Sequence, residues 1–471
     1  MSDYIVSPGT HPCEWLLEGS WHAGTLALEP NKRARGEIFL PGQYDHEGLE
    51  YSRKWQYRRL AHLACRLRTE TGVAIIDVII RYGSSDKLFV SGSFAVCGPP
   101  VDTAQPEFEA LEFQVTGLAA FSGVRPLEHS KTPSDLREIT VTWNPETDQE
   151  IQYKNDTISL FFQRVAQTHD PFMFRFTTRP FVRVIGARRT LAKWLEQYVY
   201  PIREIISMAK SERQSCSWLT IGEQVSREDS EGNPLSYLNL AQVYGAEITQ
   251  NITEPSGADL SGTLLFNTGP DGASLDTLLA RWERLRDRYR TFMDLLSAGL
   301  NEELSARAAF LTAVPALESH HSVRADDSAD TAEVEHARRS EIRTKLKDLL
   351  NPEDYKWTKN RLVTRESAAL ENRLRDTFEF LDSDLRRELV TRISPVPSTL
   401  TSVLPTAKDM WELIARLRND LAHGGTSHPD TIVAPATRLV RTVAIGVLLA
   451  ELQMPATRLI QDIRIGAWRS I

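Results

Sequence analysis

At 471 residues the chain exceeds what one compact core fills, so two or three domains are expected. Hydrophobic residues make up 41% and charged residues 25%, which excludes wholesale disorder. The net charge of −8 is uneven: residues 277–471 hold 29 Lys+Arg against 28 Asp+Glu, leaving 26 against 35 for residues 1–276, so a broad basic field for non-specific nucleic-acid binding is excluded and any phosphate site is local.

Four cysteines, Cys13, Cys65, Cys97 and Cys216, lie far apart with no CxxC pair, which argues against a disulfide framework or a thiolate zinc site. The opening "MSDYIVSPGTHPCEW" lacks the basic and apolar regions of a signal peptide. No uninterrupted apolar run of about 18 residues suggests a membrane span. A cytoplasmic protein with no membrane partner is the expectation.

In chain order, "GTLALEP", "GEIFLPG", "VAIIDVIIRYG", "KLFVSGSFAVCGPP", "EFEALEFQVTGLAAF", "REITVTWNP", "TISLFFQRV" and "PFMFRFTT" are rich in β-branched and aromatic residues, and turn signals bound most of them. They predict a β-rich N-terminal sandwich or barrel-like domain over residues 1–185. Helical periodicity then begins at Arg189 and lasts to Glu212, after which "SCSWLTIG", "LSYLNLAQVYGAEI" and "GTLLFNTG" return to strands. Residues 186–275 therefore read as a small α/β middle segment. From residue 276 to 471 the pattern is all-α, broken by a polar loop at Ser322 to Glu335 and by the Pro-rich "ISPVPSTLTSVLP". The fold class is multidomain α+β.

Next comes "WELIARLRNDLAHGGTSHPD", Trp411 to Asp430, which predicts a helix N-capped by Thr406 and stopped at Gly424-Gly425. At 100° per residue Met410, Leu413, Ile414, Leu417 and Leu421 form one core-facing stripe. Asn419 and His423, an i,i+4 pair, fall on nearly the opposite side and should face solvent or a partner. Arg418 lies beside the leucine stripe, roughly 140° around the helix from His423. Two side chains so far apart converge on one phosphate only if the last turn is distorted or if a second copy supplies one of them. Cleaving RNA through its own 2′-hydroxyl needs a base, an acid and positive charge on the phosphoryl oxygens. A two-fold dimer supplies two histidines and two arginines.

"RNDLAH", Arg418 to His423, resembles the Arg-x4–6-His signature of HEPN domains, including the polar residue directly after the arginine. With the early "GSW…GTLAL" segment, Gly19 to Leu28, and a helical tail ending shortly after the motif, the chain is similar to the ApeA-type HEPN proteins of bacterial anti-phage defence. That resemblance implies a C-terminal HEPN helical bundle, a metal-independent endoribonuclease active as a homodimer through that bundle, and RNA as substrate. It also implies a front domain that meets a phage-derived or host trigger. His423 is then the general acid/base, Arg418 the phosphate and transition-state contact, and Asn419 the residue that orients one of them. Asp420 has the weaker claim of a helix-surface charge. No cofactor and no metal are implied.

Other clusters carry less. "ESHH", Glu318 to His321, is expected to be a solvated helix end rather than a metal corner, since no second ligand cluster accompanies it. The arginines between Lys359 and Asp376 alternate with acids at helical spacing, which favours an ion-paired surface over an RNA groove. "VIGARRT" lacks the features of a phosphate loop, and no Ser or Cys nucleophile sits in a recognisable setting. The alternative to an enzyme is a non-catalytic HEPN protein whose bundle dimerises or binds RNA while the motif merely ends a helix.

Overall fold

The computed structural model describes residues 5–40, 57–69, 71–84, 86–98, 107–124, 126–131, 139–144, 148–170, 173–228, 234–252, 264–269, 272–300, 304–326, 340–363, 369–393, 407, 409–424 and 428–465. They form two compact units, one of Met1–Ile206, Gln214–Gly262 and Asn267–Asp276, the other of Ser207–Arg213, Thr263–Phe266 and Thr277–Ile471.

The first unit is β-rich. Strands β1 (Gly9–Leu17), β2 (Ser20–Leu28), β3 (Ala34–Phe39), β4 (Arg58–Leu67), β5 (Gly72–Ser84) and β6 (Lys87–Gly92) form a closed circuit of antiparallel pairs, β5-β4-β1-β2-β3-β6 and back to β5. Closure removes the free edges that would otherwise template aggregation. The barrel interior is apolar, with Trp15, Leu26, Leu28, Ile38, Ile75, Ile80 and Leu88 fully buried. The Trp15 indole fits because β2 and β3 carry glycines opposite it: a Cβ on Gly24 or Gly36 would lie 2.7 or 2.3 Å from the ring. Cys13, Cys65 and Cys97 belong to this core as free thiols, and burial pushes the Cys97 thiol up to about 12.

Strand β5 serves two neighbours. Ile79 to Ser84 pair with β6, whereas Gly72 to Ile76 pair with β7 (Phe94–Gly98), and the change falls at Asp77, whose φ is +52°. Beyond β7 the sheet runs open through β15 (Pro234–Gly245), β14 (Cys216–Glu228), β8 (Glu107–Val115), β13 (Met173–Thr190), β12 (Asp156–Asp170) and β11 (Gln149–Tyr153). Strands β9 (Leu127–Lys131) and β10 (Ile139–Trp143) pair separately. Thus β14 and β15, which the sequence pattern sets apart in residues 186–275, lie between β8 and β7 of the N-terminal sheet. The reason is register: β14 exchanges hydrogen bonds with β8 from Cys216 to Gly222. The strand expected at "GTLLFNTG" is absent over its described part, because residues 264–269 run irregularly.

A short helix α1 (Leu118–Ser122) follows β8, and α2 (Leu191–Trp194) continues through a π-helical turn, Leu195–Val199, into α3 (Tyr200–Lys210). On the sheet, Trp194 Nε1 donates to the Phe108 carbonyl at 3.0 Å, and the Tyr198 hydroxyl donates to buried Asp156, which also takes a bidentate pair from Arg189 at 2.6 and 2.9 Å. A carboxylate 1% exposed survives because three donors replace its water.

The second unit is helical: α4 (Leu275–Arg288), α5 (Arg290–Gly299), α6 (Ala306–Asp326), α7 (Pro352–Val363), α8 (Leu370–Glu379), α9 (Ser383–Ile393), α10 (Met410–His423), α11 (Asp430–Glu451) and α12 (Thr457–Ile465), with a further helical run over 340–349. Helix α6 is the axis, packed against α5, α8, α10 and α11. Among the described residues α11 alone is long and apolar enough to cross a membrane, but 78% of that window is buried within the fold, as in a core helix. The polar loop expected at Ser322 to Glu335 is helical over its described part, because α6 continues through Asp326; residues 327–335 and the Pro-rich segment 394–406 lie outside the described residues.

Candidate active site

Helix α10 begins not at Thr406 but at Met410, with Asp409 as its N-cap. The Asp409 carboxylate accepts from the Glu412 amide at 2.9 Å and from the Arg375 guanidinium of α8. Burial alone would raise this carboxyl; the Glu412 amide and then Arg375 outweigh it and hold Asp409 below its usual range. An acid three residues before a glutamate is the short-range signal of such a start, and α10 obeys it. The helix ends where expected: Gly424 is left-handed, φ +67°, a conformation only glycine adopts without strain.

The apolar stripe packs as its spacing predicts, with Leu413, Ile414, Leu417 and Leu421 buried; Met410 is only half-buried and Trp411 takes the deeper place, its ring 5.0 Å from Phe378. Asn419 and His423 are exposed. Among the described residues no hydrogen bond or ion pair occupies the His423 ring.

Arg418 does not share that freedom. Its side chain is 29% exposed and leans inward, Nε 3.6 Å from Glu318 Oε1 on α6, while Nη1 donates to Asn419 Oδ1 at 3.3 Å. The other oxygen of Glu318 lies 3.6 Å from Arg373 Nη1 on α8, so one carboxylate sits between two guanidinium groups from different helices. Glu318 Oε1 is buried without a hydrogen bond, and at 3.6 Å these are ion pairs rather than hydrogen bonds. Asp420 is not a free surface charge: its Oδ2 is 3.1 Å from Nε2 of His428, a residue 4% exposed whose carbonyl accepts from Arg307.

Residues 311–458 match the family model described as Apea-like HEPN. The helical unit carries an ApeA-type HEPN domain. No curated protein and no solved structure matches the chain.

Within this HEPN domain the "ESHH" stretch is not a solvated helix end. It lies mid-helix in α6, where His320 is fully buried, its Nε2 2.7 Å from Glu451 Oε1 and its ring against Tyr289, Phe292 and Phe380. The polar pattern misled because α6 is covered on several sides, so its apparent polar face meets other helices rather than water. His321, 3.3 Å from Asp376, is pushed below the ordinary imidazole value by burial, against the pull of that aspartate. Among the described residues no cluster of three or more His, Cys, Asp or Glu has metal-holding geometry. The ion-paired reading holds for Arg373 and Arg375, whereas the side chains of Arg361 and Arg365 lie outside the described residues. That Glu318, Arg373 and His428 lie beside the motif escapes sequence reasoning, since only helix packing brings them there.

Proposed function

We propose that this protein is an endoribonuclease of the HEPN type that acts in anti-phage defence, cutting RNA without metal through attack by its own 2′-hydroxyl. The match of residues 311–458 to the ApeA-like family supports a HEPN-type nuclease and defence role. The observation that carries the finer reading is the division of labour in "RNDLAH": an exposed histidine whose ring has no partner among the described residues, and an arginine steadied by Glu318 and Asn419.

In the proposed reaction His423 takes the proton from the ribose 2′-oxygen, which forms a bond to phosphorus as the bond to the 5′-oxygen breaks. A second acid returns a proton to the departing 5′-oxygen, leaving a 2′,3′-cyclic phosphate and a 5′-hydroxyl. Arg418 neutralises charge gathering on the phosphoryl oxygens. Because Arg418 leans inward on α10 and His423 is exposed at its end, the second acid comes from the partner's motif in a two-fold homodimer formed through the HEPN domain. The front unit then senses a phage-derived or host trigger or restrains the nuclease.

The test is incubation of the purified protein with total RNA in EDTA, followed by analysis of product ends. Cleavage with 2′,3′-cyclic phosphate ends, blocked by a 2′-deoxy residue at the cut, is expected. Strict Mg²⁺ dependence with 5′-phosphate ends would sink the mechanism, and absence of cleavage with retained RNA binding or dimerisation would favour the non-catalytic alternative.

A further inference from the structure

One face of the open part of the sheet packs against the helical stretch α2–α3. Side chains alternate along a strand, so the face of β12 that includes Asp156, Ile158 and Leu160 meets the helical stretch α2–α3 through Tyr198, and Phe161 and Gln163 point to the other side. There β12, β13, β8, β14 and β15 border a cleft of about 460 Å³, within the range of about 300–1,000 Å³ usual for small-molecule sites.

Its lining is ordered in a particular way. Phe161 and Phe181 stack at 5.9 Å, and the Arg183 guanidinium lies over Phe161, 4.4 Å from the ring centre. Arg183 donates through Nε and Nη2 to the same oxygen of Glu112, Oε2, at 3.1 and 2.8 Å. The second carboxylate oxygen and the second guanidinium nitrogen have no partner among the described residues. Stack and fork thus hold in the lining one carboxylate oxygen and, on the far side of the guanidinium from it, one nitrogen donor. Half-buried Trp218 adds a further aromatic wall, and the Gln163 amide, also without a partner among the described residues, adds a second donor and acceptor.

We propose that this cleft binds a nucleobase, carried by a free nucleoside rather than by an RNA strand. A base has the two properties the cleft selects for: an edge that carries both hydrogen-bond donors and acceptors, to meet the Glu112 oxygen and the Gln163 amide, and a flat π-face that stacks on aromatic rings. The charges in the lining cancel, Arg183 against Glu112, and residues 1–276 carry nine more acidic than basic groups, with 26 Lys+Arg against 35 Asp+Glu. A phosphate chain would be repelled there, whereas an uncharged nucleoside would not. The proposal concerns the β-rich unit and stands whether or not the HEPN domain cleaves RNA.

Calorimetric titration of the full chain with guanosine, adenosine, uridine, guanosine 5′-monophosphate and a short oligoribonucleotide tests it. Saturable one-to-one binding of at least one nucleoside is expected, weakened by the 5′-phosphate. Glu112→Gln and Gln163→Ala should each reduce that affinity about tenfold, the order expected for a hydrogen bond to a charged or buried group. Gln163→Ala removes no ion pair, so it decides the matter should Glu112→Gln fail to fold. No saturable binding of any nucleoside up to millimolar concentration, affinity unchanged in Gln163→Ala, or binding of the oligoribonucleotide alone would each overturn the proposal.

Discussion

Arg418 and His423 share a motif but not an environment, and their alanine variants should separate accordingly. His423→Ala should abolish RNA cleavage while moving stability by less than about 0.5 kcal/mol, since an exposed side chain without partners among the described residues is removed. Arg418→Ala should also abolish cleavage but cost about 1–2 kcal/mol, because among the described residues Glu318 then keeps only Arg373. Cleavage assays beside urea denaturation check both; equal, large stability losses would mark the motif as structural. Glu318 acts through Arg418, so Glu318→Gln is expected to lower the cleavage rate about tenfold by loosening the guanidinium, the scale on which small misplacements act. An effect on kcat with little change in KM distinguishes lost positioning from lost binding, and an unaltered rate would refute it. For His321 the folded pKa lies below the ordinary 6.5, so the unfolded chain takes up its proton first and stability falls as pH drops below about 6.5. Melting temperature followed from pH 7.5 to 5 should show that decline, and His321→Asn should flatten it.

Helix α10 is fixed at both ends by identifiable residues. Asp409→Ala removes the cap of the Glu412 amide and the partner of Arg375, an expected loss of about 1 kcal/mol or more. Because the folded Asp409 carboxyl is held low, its contribution is present above the ordinary aspartate value and disappears as pH falls through the folded one. Gly424→Ala forces a left-handed alanine directly after His423, costing about 1 kcal/mol. Cleavage should fall with it as the last turn frays, and a variant with lowered melting temperature but full activity would show that the turn does not position His423. The stripe of α10 is legible because burial on one side is a local, periodic constraint. The buried face of "ESHH" is not legible, since α6 is surrounded and polar residues there pair with other helices rather than with water.

At the scale of the whole molecule the composite site predicts that activity depends on association. Cleavage per chain should fall on dilution below the dimer dissociation constant, measured by ultracentrifugation at the assay concentration; full-rate cleavage by a monomer would refute it. Mixed Arg418→Ala and His423→Ala chains retain one intact arginine and one intact histidine per dimer, so partial rescue would show that the two motifs share work, while its absence accords with a need for both histidines. By itself the sequence determined the alternation of strands in the front, the helical tail, the register of α10 and the exposure of Asn419 and His423, because these follow from the side-chain periods of helix and strand. It also carried the resemblance to HEPN domains in six contiguous residues. Only the tertiary structure decided that β14 and β15 complete the N-terminal sheet, that six strands close into a barrel, and that Arg418 leans on Glu318 beside Arg373. Those pairings join residues tens to more than a hundred positions apart, and no local period encodes which distant partner a strand edge or a guanidinium will meet.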